Sequence, residues 1–344
     1  MKYLFLTAAL AVSMNTFAQT VSGYVEAYYS YDVNKPLNNT KAPFLYTYTR
    51  NNEVNINLGY IKVNYTNDWV RTNLAIATGT YINANYVAEQ GVLKNIYEAN
   101  VGVKLSRKHN LWLDAGVLPS HIGWECAIGK DNPTLSRSLA ADNSPYFETG
   151  VKAGYTSANG KWYLSALILN GWQRIQRVDG NTTPAFGTQI TFKPTAAITL
   201  NSSTFIGNDK PDSVRQMRYF HDLYGTVNVT DKWSLVAGFD IGWEQRAKGS
   251  SAMNNWYTPA VILRYAPGKF SLSARGEYYN DKKGIIVGAE LWGYSANIDY
   301  KVNDNAMWRF EVRNLSGKDA IFPKHNTDLG KNSLVFTTAI AVGF

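Results

Sequence analysis

From Gln19 to Phe344 the chain alternates apolar residues with polar or small ones at a period of two, and this restricts its fold more than any other feature. The last segment shows the pattern. Leu334, Phe336, Thr338, Ile340, Val342 and Phe344 share one face of an extended strand, while Ser333, Thr337, Ala339, Ala341 and Gly343 take the other. A period of two means a strand with different media on its two sides. Chain ends normally fray into solvent unless tied down, so an apolar strand ending on an aromatic residue needs a partner strand.

The connections between segments sort into two kinds. Short ones fall near 67–68, 106–110, 158–160, 194–195, 230–232, 266–269 and 301–305. Long ones alternate with them: the loop holding Pro36 and Pro43, then 79–94, 118–145, 171–184, 206–217, 244–255, 280–284 and 315–331. Short turns on one side and long loops on the other are the layout of an all-β, transmembrane antiparallel β-barrel of the outer-membrane type, with about 16 strands and both mature ends at the short-turn side. Trp69, Trp162, Trp233, Phe270 and Trp308 follow the short turns, where an amphipathic ring sits at headgroup level. A secreted β-sandwich would use the same rings as cross-strand pairs. In the second segment Val54, Ile56, Leu58 and Tyr60 are expected on one face, with a bulge after Gly59 bringing Ile61, Val63 and Tyr65 onto it.

Lys2, the apolar run Tyr3 to Val12 and the small residues Thr16 and Ala18 read as a cleaved secretory signal peptide over 1–18, leaving 19–344 as the barrel. No later stretch approaches the roughly 18 to 20 apolar residues of a helical span. The single cysteine, Cys126, allows no disulfide framework or cysteine metal cluster. The net charge of +8 is scattered rather than clustered, which suits anionic solutes or lipid headgroups and not nucleic acid. HExxH, GxSxG and Gly-rich phosphate loops are absent from the sequence, and the adjacent Ser120 and His121 would point to opposite sides of an extended chain. Neither catalysis nor a cofactor nor a metal is expected. A hydrolase assembled from residues distant in sequence is the competing enzymatic reading.

Charge appears at inward positions. Arg275 and Glu277 oppose the apolar Leu272, Ala274 and Tyr278, and Arg309, Glu311 and Arg313 oppose Trp308, Phe310 and Val312. Midplane Arg in hydrocarbon costs about 2 to 4 kcal/mol, so these groups are expected to face a wet lumen. By the same parity Glu98, Lys104, Glu148, Lys152, Asp240 and Asp299 are lumen candidates. Mixed signs across the wall would favour small hydrophilic solutes; pairing that stiffens the barrel is the plainer reading of each. The longest connection, 118–145, carries Ile122, Trp124, Ile128 and Leu135, which need something to pack on. Folding into the lumen would make it a constriction presenting His121, Glu125, Lys130, Asp131 and Arg137. A lid over the mouth and a contact with a neighbouring protomer are the alternatives.

NEVNINLGY (Asn52 to Tyr60), GVLKNIYEANVGVKL (Gly91 to Leu105), LWLDAGVLPSHIGWECAIGKDNPTLSRS (Leu111 to Ser138), DNSPYFETG (Asp142 to Gly150) and LILNGWQRI (Leu167 to Ile175) resemble the OmpL-like β-barrel porins of Bacteroidota outer membranes. The resemblance spans the mature chain and is densest in its first half. It implies a porin in the outer membrane of a Gram-negative bacterium, with no catalytic residues and no defined substrate. It also implies that Phe344 is the terminal aromatic read by the barrel-insertion machinery. With no separate plug domain, passive diffusion of small hydrophilic solutes or ions is the expectation, and a binding or adhesion barrel with a blocked lumen is its rival. A homo-oligomer follows only by analogy with other porins.

Overall fold

The computed structural model describes residues 19–344; the expected signal peptide, 1–18, lies outside the described residues. Sixteen strands close into one barrel in sequence order. They are β1 (Gln19–Asp32), β2 (Val54–Thr66), β3 (Val70–Thr78), β4 (Ile96–Lys104), β5 (Asn110–Pro119), β6 (Phe147–Thr156), β7 (Trp162–Leu169), β8 (Ala185–Thr195), β9 (Ile198–Gly207), β10 (Arg218–Asn228), β11 (Trp233–Gln245), β12 (Met253–Tyr265), β13 (Phe270–Asn280), β14 (Glu290–Lys301), β15 (Ala306–Gly317) and β16 (Asn332–Gly343). Two short helices, α1 (Thr80–Asn85) and α2 (Leu139–Asp142), lie in the second and third long loops.

The first and last strands meet as the terminal alternation requires. β1 pairs antiparallel with β16 from Tyr24 opposite Gly343 to Asp32 opposite Val335. Beyond that register Gly23 N donates to Phe344 O at 2.9 Å and Phe344 N donates to Gly23 O at 3.0 Å. The Phe344 ring lies over Gly23, where any Cβ would overlap it. The cylinder therefore leaves none of its described strands with an open edge, which hydrocarbon would not tolerate.

The outward faces are apolar along their length. Val21, Val25 and Tyr29 of β1, and Phe336, Ile340 and Val342 of β16, are exposed, while Glu26, Ser30, Thr337, Ala339 and Ala341 beside them are buried. Trp69, Trp162, Trp233, Phe270 and Trp308 all point outward at the short-turn end, and Trp162 stacks on Phe192 at 4.1 Å. Phe186, Tyr219, Trp243 and Trp292 are exposed toward the long-loop end, so apolar strand lies between two aromatic levels.

Two phase changes differ from the sequence expectation. Glu26 pairs with Leu58 but Ala27 pairs with Ile56, so the bulged residue is Asn57 and the change precedes Gly59. Leu58 and Tyr60 therefore face inward instead of joining Val54 and Ile56. The cause is polar: the Asn57 side chain donates to Glu26 Oε2 at 2.8 Å and accepts from Tyr48 N at 3.0 Å, tying the first long loop to β1. Ala75 pairs with Glu98 and Ile76 with Ile96, so Tyr97 is also skipped. It turns away from the lipid face of Val101 and Val103 and stacks on Tyr60 at 5.5 Å.

Candidate functional site

The third long loop enters the barrel. Between β5 and β6 its side chains are mostly buried, with Leu135, Arg137, Ser138 and Leu139 fully so. Its apolar residues seek cover, and glycines make room for them. The Trp124 indole lies on Gly238 of β11, and His121 lies on Gly187 of β8, in each case where a Cβ would overlap the ring. At the opposite wall the loop's own Gly129 passes so close to the Glu26 carboxylate that no side chain would fit. Tyr224 meets Trp124 edge-on at 5.9 Å.

Polar contacts hold the loop against β13 to β15. Arg275 donates to Thr134 Oγ1 at 2.9 Å, Ser136 O at 2.7 Å and Glu311 Oε1 at 3.2 Å. Arg309 bonds both oxygens of Asp299 at 2.6 and 3.0 Å and reaches Gly129 O at 2.5 Å and Asn132 O at 3.1 Å. Arg313 donates to Glu277 Oε1 at 2.8 Å. The carboxylates accept from loop backbone: Glu277 from Leu139 N and Glu311 from Ser136 N, both at 2.6 Å, while Asn297 accepts from Leu135 N at 2.9 Å. So Arg275, Glu277, Arg309, Glu311 and Arg313 face inward, as their parity requires, yet they contact loop rather than water. Breaking such a pair leaves an uncompensated buried charge and costs about 3 to 5 kcal/mol.

The loop candidates divide likewise. Arg137 is wholly buried and binds three carbonyls of its own loop, those of Cys126, Ala127 and Leu135, at 2.6 to 3.0 Å. Glu125 accepts from Ser138 N at 3.0 Å and from the Ser138 hydroxyl, beside the start of α2. His121 Nδ1 is 2.7 Å from Glu148, and its Nε2 is 2.8 Å from Thr204 O. Burial opposes the imidazolium, but the Glu148 carboxylate, the Thr204 carbonyl and Asp222 together outweigh it and raise His121 above its ordinary pKa. Lys130 and Asp131 pair with each other at 3.2 Å and remain partly exposed. The carboxyl of Asp142 in α2 is fully buried without a hydrogen bond, and burial pushes its pKa up to about 8.

On the wall of β2 to β6 the loop's Ala127 and Ile128 pack among Leu58, Tyr60, Tyr97 and Phe147, and His121 holds Glu148, while Lys62, Arg71, Lys104 and Lys152, nearer the short turns, stay partly exposed. Lys62 pairs with Glu98 at 2.5 Å across Ala75, and Arg71 pairs with Asp114 through two bonds of 2.5 and 2.6 Å, reaching across Gly102. The Arg71 guanidinium also covers the Trp112 ring at 4.4 Å. Lys104 and Lys152 are inward and half-buried, and among the described residues neither has an ion-pair partner. Asp240 is buried directly opposite Asp222 on the inner face. A cavity of about 230 Å³ lies between the loop and the wall residues Tyr97 of β4 and Tyr224 of β10, with Trp124 and Cys126 on its loop side. Lys62 and Arg71 were not among the sequence candidates, although their outward neighbours Ile61, Val63, Val70 and Thr72 give them the same inward parity.

A family profile described as "Putative beta-barrel porin-2, OmpL-like" matches residues 19–344. The chain belongs to this OmpL-like porin family. It is an outer-membrane porin, and the short turns face the periplasm while the long loops face outward. No curated protein matches the porin in sequence. Solved structures with the same fold include the anion-selective porin from Comamonas acidovorans (TM-score 0.65, 9% identity, 95% of this chain and 99% of that one). In-vitro folded OmpT of Vibrio cholerae, trimer form, aligns with TM-score 0.61 at 11% identity over 95% and 99% of the two chains. The outer-membrane channel DcaP of Acinetobacter baumannii aligns with TM-score 0.58 at 12% identity over 95% and 97%.

Proposed function

We propose that the porin passes small hydrophilic solutes by passive diffusion, with a preference for anions, along the part of the β2 to β6 wall nearer the short turns, where Lys62, Arg71, Lys104 and Lys152 are partly exposed. The arrangement of charge on that wall carries the reading. The Lys62 and Arg71 side chains are 26% and 33% exposed, whereas the carboxylates they hold, Glu98 and Asp114, are 7% and 3% exposed. A solute thus meets cations first, and Lys104 and Lys152 add two more without partners. The anion-selective porin among the solved structures supports this reading. In it the barrel is a conduit and performs no chemistry on what it passes, and the loop's free side with Tyr97, Trp124 and Tyr224 forms the constriction.

Planar-bilayer recording in a salt gradient tests the proposal. Discrete conductance steps with a reversal potential of anion-selective sign are expected; cation-selective sign, or no steps, overturns it. Cys126 is exposed in the proposed constriction and is the chain's single thiol, so a sulfonate-bearing thiol reagent should block current in the native protein and leave a Cys126→Ser variant unaffected.

Three further assignments belong to this reading. Residues 1–18 act as the export signal and 19–344 form the mature barrel, which amino-terminal sequencing of outer-membrane protein checks. Phe344 is 69% exposed at the periplasmic seam, available to the insertion machinery. Phe344→Asp should lower the yield of inserted barrel without changing the conductance of those channels that form. A homo-oligomer would bury the polar row on the lipid face of β8 to β10, where Thr188 bonds Thr204 at 2.6 Å and His221 bonds Ser202 at 2.9 Å. Replacing Thr188, Thr204 and His221 by leucine should dissociate it to monomers in detergent, as read by light scattering.

A further inference from the structure

An open cleft of about 440 Å³ lies at the extracellular surface between the first long loop (33–53) and α1, away from the lumen wall discussed above. Its sides are largely apolar, from Pro43, Leu45, Ala84 and Val87, and its two charged residues, Lys41 and Arg50, are both cations. The two differ. Arg50 lies at the surface and is neutralised by Glu53 at 2.8 Å, with a further bond to Thr40 Oγ1 at 2.8 Å. Lys41 is 6% exposed, and its amine has no hydrogen bond or ion pair among the described residues. The charged groups that face it are Asp32 on β1, Asp142 on α2, and Glu311 and Arg313 on β15. Asp32 is bonded to Ser333, and Glu311 is bonded to Arg275 and the loop backbone.

A buried amine with neither an ion pair nor a hydrogen bond is costly, and burial pushes Lys41 down to a pKa of about 7 although Asp32, Glu311 and Asp142 oppose it. A ligand that brings a negative head to Lys41 and lays an apolar body on the cleft walls removes that cost, and the volume is within the range of ligand sites, about 300 to 1,000 Å³. We propose that this cleft binds a compact organic anion, with a carboxylate or phosphate head on Lys41 and an apolar body against Pro43, Leu45, Ala84 and Val87. The site is independent of the diffusion reading. It would stand on a barrel that conducts nothing.

The test uses the full mature barrel in a non-ionic detergent free of lipopolysaccharide. Lys41 is acetylated in trace amounts by acetic anhydride near neutral pH, and its modification relative to the exposed Lys108 is read by peptide mass spectrometry. With 3-phenylpropionate or phenyl phosphate present, Lys41 labelling should fall about tenfold at saturation, while 3-phenylpropanol, which lacks the charge, should not protect. The affinity for 3-phenylpropionate should decline as pH rises through about 7, because the amine loses its charge. Lys41→Arg should keep binding but lose that decline, and Lys41→Met should abolish it in a barrel that still runs folded on a gel. Protection by soluble acid identifies a free solute; protection by added lipopolysaccharide alone identifies a lipid phosphate as the source of the head. Protection by neither, or equal protection by the alcohol, overturns the site.

Discussion

The wall of β13 to β15 and the wall of β2 to β6 are written in the same alphabet. Each sets Arg, Lys, Glu and Asp at inward positions between apolar lipid-facing residues. In the folded protein the first wall is dry: Arg275, Arg309 and Glu311 are 3% exposed or less and bind the third loop. The second is wet at its amines and guanidinium. Alternation therefore decides whether a group points in or out, but not whether it meets water. That depends on where a distant loop returns: it covers the charges of β13 to β15 and leaves Lys62, Arg71, Lys104 and Lys152 of the other wall uncovered.

If that contrast is sound, the two walls respond differently to the same substitution. Arg309→Ala should destabilise the barrel by about 3 to 5 kcal/mol, because Asp299 is left buried and unpaired, whereas Lys152→Ala should stay within about 0.5 kcal/mol; denaturant midpoints of the two variants measure this. Equal losses would erase the distinction. Deleting Gly129 to Ser138 removes the segment that binds Arg275, Glu311 and Arg309, and should raise single-channel conductance about twofold or more if the loop sets the pore width. Unchanged conductance would mean that the loop braces the wall without narrowing the path. Lys104→Glu combined with Lys152→Glu should move the reversal potential toward cations, while Arg313→Gln on the dry wall should move it far less.

The smallest effect is one of pH. The folded pKa of His121 is raised by Glu148 despite burial, and that of Asp142 is raised by burial to about 8. A group raised in the docked state stabilises docking below its free pKa and loses that contribution as pH rises through the docked value. Both contributions therefore fade in the same direction, that of Asp142 between its ordinary 3.8 and about 8 and that of His121 above its ordinary 6.5. Protease cleavage within 120–146 should quicken as pH rises, and Asp142→Asn should flatten the part of the response that lies below the ordinary histidine value.

The strand count, the alternation of turns and loops, the aromatic level at the short turns and the seam between β1 and β16 were legible because each follows from a repeating local pattern. The bulge at Asn57 was not, since its cause is a side chain bonding a distant glutamate and a loop amide. That the third loop packs on something was readable from Trp124 and Leu135, which could not stay in water, but lumen, lid and protomer contact were all open choices. Its landing place was not readable, although inward glycines such as Gly187 and Gly238 mark where a ring approaches the wall. The wet wall was half legible: Lys104 and Lys152 follow from parity, and Lys62 and Arg71 obey the same rule. What hides Glu98 and Asp114 beneath cations is pairing between strands, which a single strand does not reveal.

The seam of Gly23 with Phe344 also has a consequence in time. The contacts that complete the cylinder join its first strand to its last, and such contacts form slowly because the loop they close is so long. β16 is made after the other fifteen strands, so every earlier strand must wait, unclosed and liable to aggregate, until β16 has crossed into the periplasm. The porin is thus a molecule whose folding is limited by its last barrel strand, and loss of β16 would leave not a shorter channel but an unfinished one.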